Sequence, residues 1–157
     1  MTPDTRPAAQ GTTAEHIRDH GWSCLYVKAT QPDEQPFCYT IGFTETYQAP
    51  EILVFGLGQQ RAHALLSHCA ELLANGHTFC AGIKDGKVLA GGYSVVFKPL
   101  REDCYGEYVG RARHHYQDAQ FNVLVMFFPD REHCFPWDTP YQGSDASEPM
   151  RIVQSAG

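Results

Sequence analysis

The chain has no run of apolar residues near the roughly 20 needed to cross a bilayer as a helix. Its opening stretch, MTPDTRPAAQG, has none of the apolar core of a secretory signal. A membrane protein is thereby set aside and a cytoplasmic setting expected. Positive charge is scarce: 12 Lys and Arg stand against 18 Asp and Glu, for a net charge of -6. That balance opposes binding to a phosphate backbone, and the only basic clusters, Lys98 with Arg101 and Arg111, Arg113, His114, His115, are short. Motifs that announce a chemistry are missing as well. There is no CxxC, no zinc-protease HExxH, no HxH, no GxGxxG, no Walker loop and no nucleophile elbow. No zinc or other metal site is expected, and no nucleic-acid partner.

Six cysteines are present, at 24, 38, 69, 80, 104 and 134. They are widely spaced, and several fall in apolar patterns where a reduced thiol acts as a small hydrophobe. A chain of 157 residues buries a sufficient core without staples, so free thiols are expected. The hydrophobic fraction of 43% and aromatic fraction of 12% suit one ordered core. That core is expected over residues 12–141, between a flexible lead at 1–11 and a polar tail at 142–157.

Periodicity divides that span. Thr12 and Glu15 suggest a capping box opening a short helix that Gly21 closes. WSCLYVK, 22–28, and FCYTIGF, 37–43, alternate at period two and suit a hairpin of strands. TETYQAP reads as a loop. EILVFGLG, 51–58, is an unbroken apolar run of the kind buried on both faces. Residues 60–75 carry Ala62, Leu65, Leu66, Cys69, Leu72 and Leu73 at helical spacing, with Gly76 placed to end the helix. Asp85-Gly86 signals a hairpin turn. YSVVFKPL, 93–100, and FNVLVMFF, 121–128, are strands stopped by prolines. Between them Tyr105, Tyr108, Val109, Ala112 and Tyr116 share one face of a second helix. The strands do not alternate strictly with helices, so the expected fold is α+β, with an antiparallel or mixed sheet, partly barrel-like, two main packed helices and a short N-terminal one.

Three ordered segments carry a resemblance: His20-Gly21-Trp22, FCYTIGFTETYQAPEILVFGL at 37–57, and MFFPDREHCFPWDTPY at 126–141. Together they are similar to a family of small bacterial proteins described only as a domain of unknown function, over about residues 14–141. Two departures stand out. Ala49 precedes Pro50-Glu51 where family members often carry histidine, and Arg131-Glu132-His133-Cys134 stands where they often have glycine. The resemblance implies one domain of bacterial origin and no particular activity, cofactor or catalytic residue.

Candidate ligand residues fall in three groups. Asp130 and Trp137 sit in the loop after the last strand, where an aromatic can stack on a flat ligand and a carboxylate can accept its hydrogen bonds. Tyr39 and Thr40 precede Gly42, which permits close backbone approach. Arg111 and His114 share a helical face with Glu107. The function expected from these groups is a small-ligand or polypeptide-binding domain. The alternative is a small hydrolytic or cofactor-dependent enzyme using His114 or His133 with an acidic partner; a flavin-binding barrel is a further, minor option. The partners the sequence allows are a small molecule, another protein or further copies of the chain.

Overall fold

The fold was obtained as a computed structural model, in which residues 13–153 are described apart from 33, 118 and 144. The expected flexible lead at 1–11, Thr12 of the expected capping box and the last residues of the expected tail lie outside the described residues. The element order is α1 (Thr13–His20), β1 (Ser23–Val27), β2 (Phe37–Ile41), α2 (Phe43–Tyr47), β3 (Glu51–Phe55), α3 (Gln59–Ala74), β4 (Lys84–Asp85), β5 (Val95–Pro99), a 3-10 turn at Glu102–Cys104, α4 (Tyr105–Tyr108), α5 (Gly110–Tyr116), β6 (Val123–Phe127) and α6 (Ser147–Ile152).

The strands form one open mixed sheet in the order β1-β2-β3-β6-β5-β4. β1, β2 and β3 make one antiparallel meander. β4, β5 and β6 make another. The two join along a single parallel pair, in which Glu51, Ile52 and Leu53 of β3 face Val123, Leu124 and Val125 of β6. β1 and β4 stand at opposite edges, so the sheet does not close among the described residues, correcting the expectation of partial barrel character. β3 and β6 are the two central strands, and every residue of both is buried. Their unbroken apolar runs reflect cover on both faces.

Alternation along the strands builds two cores. On one face Cys38, Ile52, Val54, Val95, Phe97, Leu124 and Met126 pack against Ala62, Leu66, Cys69, Ala70 and Leu73 of α3. On the other, Tyr39, Leu53, Phe55, Val96, Val125 and Phe127 meet Tyr108, Val109, Ala112, Phe135 and Ile152. The sheet is therefore the middle of three layers.

Four expectations change on contact with the fold. The second main helix is broken at Val109, whose φ of -125° and ψ of 40° leave the helical region, so α4 and α5 are two short helices. Its apolar face survives the break, because Tyr108, Val109 and Ala112 are all buried. The stretch TETYQAP holds helix α2 rather than loop alone. Asp85-Gly86 does not form a two-residue hairpin. β4 is only two residues long, and it pairs with Val95 and Val96 across a broad loop in which Gly91 and Gly92 take positive φ. Finally, the expected polar tail contains α6, with Ile152 1% exposed and Val153 bridged to Leu100. All six cysteines are free.

Candidate functional site

The turn between β2 and β3 is organised by a residue whose chemistry the sequence pattern hides. Glu51 heads β3 and is fully buried. Its Oε1 accepts from the Thr40 hydroxyl at 2.7 Å and the Phe43 N–H at 3.1 Å. Its Oε2 accepts from the N–H groups of Gly42 at 3.2 Å and Thr44 at 3.0 Å, and from the Tyr116 hydroxyl. The carboxylate thus does what a capping side chain would do for the first turn of α2, which has no cap of its own. Burial pushes the Glu51 carboxyl above the ordinary carboxylate range, against the pull of Tyr116, Thr40 and the backbone donors. Burial, and then the Glu51 charge, push the Tyr116 phenol up in turn. Gly42 is required here. Its φ is 115°, and a Cβ would lie 2.9 Å from both Gly21 O and Trp22 Cα.

This arrangement accounts for two of the expected ligand residues. Thr40 is fully buried, donates to Glu51 and accepts the Ile52 N–H at 3.0 Å. Tyr39, on the opposite face, is 1% exposed, and its hydroxyl accepts the Arg111 backbone N–H at 3.2 Å. Tyr39 therefore meets the α5 backbone, while the Arg111 and His114 side chains are exposed.

Asp130 and Trp137 lie together in the loop after β6 but do different things. Asp130 Oδ1 accepts the N–H groups of Glu132 and Cys134, both at 2.9 Å, and Oδ2 accepts that of Gln142 at 2.7 Å. These bonds, Gln142's first, hold its carboxyl below the usual aspartate range. Asp130 also borders an open hollow of about 680 Å³ with Tyr93, Arg131 and Gln142. Trp137 stacks on Phe135 with ring centroids 5.3 Å apart, and Lys98 Nζ sits 4.1 Å from the Trp137 centroid. The six residues thus occupy three separate places and do not converge. Of the two histidines raised as catalytic candidates, His114 is exposed on α5 and His133 stacks on Tyr93 at 4.5 Å. The histidines that do bond acids are others: His77 with Asp85 at 2.7 Å, and His115 with Glu45.

A cavity of about 240 Å³ opens at the carboxyl ends of β3 and β6. Phe55, Gly56 and Leu57 form one wall where the chain leaves β3 for α3, and Phe127, Phe128 and Pro129 form the other. Pro136 and Tyr141 of the loop after β6, and Asp145, Ala146 and Pro149 around the start of α6, complete it with Gln35. Gln35 Nε2 donates to the Asp145 carbonyl at 2.9 Å. Gly56, at φ 82°, donates its N–H to Pro36 O at 2.8 Å. The walls are apolar and aromatic, with amide, phenol and carboxylate groups at the rim.

Sequence reasoning drew attention to the loop after β6, which supplies Pro129 and Pro136 to this cavity, but did not single out Tyr141 or α6. The signal for α6 was weak: a six-residue helix, Ser147–Ile152, inside a polar stretch, betrayed only by Met150, Ile152 and Val153. The signal for Glu51 was clearer, a single acid heading an apolar run directly after Pro50.

No group of three or more His, Cys, Asp or Glu side chains could hold a metal ion among the described residues. No helix among them is long and apolar enough to cross a membrane.

These features define an α+β protein with an open mixed sheet and a cavity of small-molecule size at the carboxyl end of its one parallel pair. The chain belongs to the family DUF4262, a domain of unknown function, whose model matches residues 16–142. Asp145, Ala146 and Pro149 of the cavity wall lie beyond the matched span. No curated protein and no solved structure matches the chain.

Proposed function

We propose that the protein binds a small, flat, largely apolar ligand in the cavity between the carboxyl ends of β3 and β6. The observation that carries this reading is the cavity's place and size. Ligands of open α/β sheets collect outside the carboxyl ends of parallel strands, where connections diverge. A cavity of about 150 Å³ admits benzene, so about 240 Å³ suits one or two fused rings. Phe55, Phe128 and Tyr141 offer faces for stacking, and Gln35, Tyr141 and Asp145 supply the polar rim that would orient such a molecule.

A polypeptide ligand has less support. The exposed large hydrophobics among the described residues are Ile83 and Trp137, and Lys98 covers one face of Trp137. Two such residues fall short of the contiguous apolar patch that protein docking uses. Catalysis also has less support, because no histidine lines the cavity.

The test is a thermal-shift screen of mono- and bicyclic heteroaromatic compounds on the full chain, with calorimetry on the hits. Ala146→Trp should fill the cavity and weaken a hit at least tenfold while leaving the melting temperature level or raised. A hit that binds Ala146→Trp as tightly as the wild-type chain places the ligand elsewhere and refutes the assignment.

A further inference from the structure

On the α3 face, at the far edge of the sheet, two cysteines come together in a second cavity. β1 and β2 are antiparallel, with Cys24 opposite Thr40 and Tyr26 opposite Cys38. Residues opposite each other point to the same face, so Cys24 and Cys38 are diagonal neighbours on it. Both line a cavity of about 440 Å³ with Tyr26, Gln59, Gln60 and His63. A neighbouring hollow of about 490 Å³, which shares Cys24 and His63, is lined also by His16, His20, Trp22 and Ser23. His63 stacks on Trp22, with centroids 5.8 Å apart. Neither lining contains a carboxylate, an arginine or a lysine. The groove is therefore furnished with thiols, imidazoles, amides and aromatic faces, a soft donor set.

We propose that Cys24 and Cys38 form a two-coordinate site for a soft d10 cation, Cu(I), entered through the groove between β1 and α3. Thiolate sulfur selects Cu(I) over harder ions, and a bis-thiolate site needs no third ligand. The diagonal geometry favours a metal bridge over a disulfide. Diagonal Cα atoms in a sheet lie ~7–8 Å apart, whereas a disulfide becomes unreachable without backbone movement beyond about 7 Å. Two metal–sulfur bonds of about 2.3 Å span roughly 4.6 Å, which bridges the longer gap. The neighbouring Cys38 thiol lowers Cys24, and the neighbouring Cys24 thiol, with burial, raises Cys38. On binding, the ion displaces both thiol protons to solvent and no electron moves. His63 and Trp22, stacked on each other, line the entrance to the groove.

The experiment uses the reduced full chain, without oxygen, carrying Cys80→Ser and Cys134→Ser to remove the two thiols away from this cavity that are exposed or half-buried. Cu(I) is titrated in competition with a chromophoric chelator. One equivalent should bind, and adding either Cys24→Ser or Cys38→Ser should weaken it at least a hundredfold. X-ray absorption on the loaded protein should read two sulfur neighbours and no third, a result that does not depend on the folding of any Cys24 or Cys38 variant. Retention of the equivalent in Cys24→Ser, failure to compete with the chelator, or a shell of three or more donors would each overturn the site. So would a loss of two hydrogens by mass under mild oxidation with no uptake of Cu(I) by the reduced chain. The ligand cavity at the carboxyl ends of β3 and β6 shares no residue with this site, so the two proposals fail independently.

Discussion

Replacing Thr40 with valine removes one oxygen atom and keeps the side chain's shape, yet it should be among the most damaging conservative changes in the chain. The ladder pairs of β2 and β3 run from Phe37↔Phe55 to Tyr39↔Leu53. The next pair, Thr40 and Ile52, is bonded through the Thr40 side chain, whose oxygen accepts the Ile52 N–H at 3.0 Å. The same hydroxyl donates to Glu51 at 2.7 Å. Valine strands the Ile52 N–H in a fully buried position, at a cost of about 1–3 kcal/mol, and deletes a charge-assisted bond worth about 1.5–3 kcal/mol. Together about 3–5 kcal/mol should be lost. With a urea slope of about 2 kcal/mol per molar for a chain of this size, the unfolding midpoint should fall by roughly 1.5–2.5 M. Thr40→Ser keeps the hydroxyl and loses one methyl group, so it should cost about 1 kcal/mol. Glu51 adds a pH signature. Its folded pKa stands above its unfolded value, so the folded protein retains a proton that the unfolded chain has lost. That contribution to stability is intact below the unfolded value of about 4.5 and declines as pH rises through the folded value. Loss of the Thr40 donor raises the folded value further, so the valine deficit should widen as pH rises above the unfolded value of about 4.5. Urea titrations at several pH values provide the measurement. A valine midpoint within about 0.5 M of wild type, or a serine midpoint as low as valine's, would refute the assignment of the loss to the hydroxyl.

Asp130 should give the opposite pH dependence. Its carboxyl is held low by the Gln142, Cys134 and Glu132 N–H groups, so the stability it contributes is present above the ordinary aspartate value and lost as pH falls through the depressed one. In a Trp22→Phe background, Trp137 fluorescence should report opening of the loop as pH falls below the ordinary aspartate value, and Asp130→Asn should abolish that transition; an unchanged acid profile in the variant would count against it. Phe135 and Trp137 form one stack but should differ sharply on truncation. Phe135 is 2% exposed, so Phe135→Ala should cost about 3–5 kcal/mol. Trp137 is 37% exposed and should cost about 1 kcal/mol. Equal losses in chemical denaturation would show that the stack, rather than Phe135 burial, anchors the loop.

The central strands were legible because their signal is local and redundant: EILVF and VLVMF are apolar at nearly every position, and only cover on both faces explains that. α3 was legible for the same reason, with a stripe over sixteen residues and Gly76 at positive φ to end it. Elements held by a single distant contact were not. α2 depends on a carboxylate that follows it in the chain, so its own sequence, FTETY, carries too little periodicity to declare a helix. α6 is fastened by Ile152 and Val153 against Leu100, some fifty residues away. The break at Val109 is set by packing of Tyr108 and Val109 onto the sheet, and the glycines at 106 and 110 only make it affordable. Candidate ligand residues were chosen by chemical type. Type cannot show that the oxygens of Asp130 are already filled by the N–H groups of its own loop.

The parallel seam between β3 and β6 gives these observations a common cause. Where antiparallel strands meet, short connections can cover the strand ends. Parallel neighbours leave in the same direction and must diverge, so neither end of the seam has a hairpin to close it. At the amino ends the gap is filled. Asn122 O accepts the Glu51 N–H at 2.8 Å, and the Glu51 carboxylate gathers the turn of Gly42, Phe43 and Thr44 with Thr40 and Tyr116 into a solid plug. At the carboxyl ends the Asp130 carboxylate gathers only its own loop after β6. Gly56 turns the chain toward α3 on one face, while Phe128 and Pro129 carry it into the Asp130 loop on the other. The space between those departing chains is the cavity. The same topology therefore yields a sealed end, where polar groups satisfy one another, and an open end, where the departing chains leave a cavity between aromatic walls.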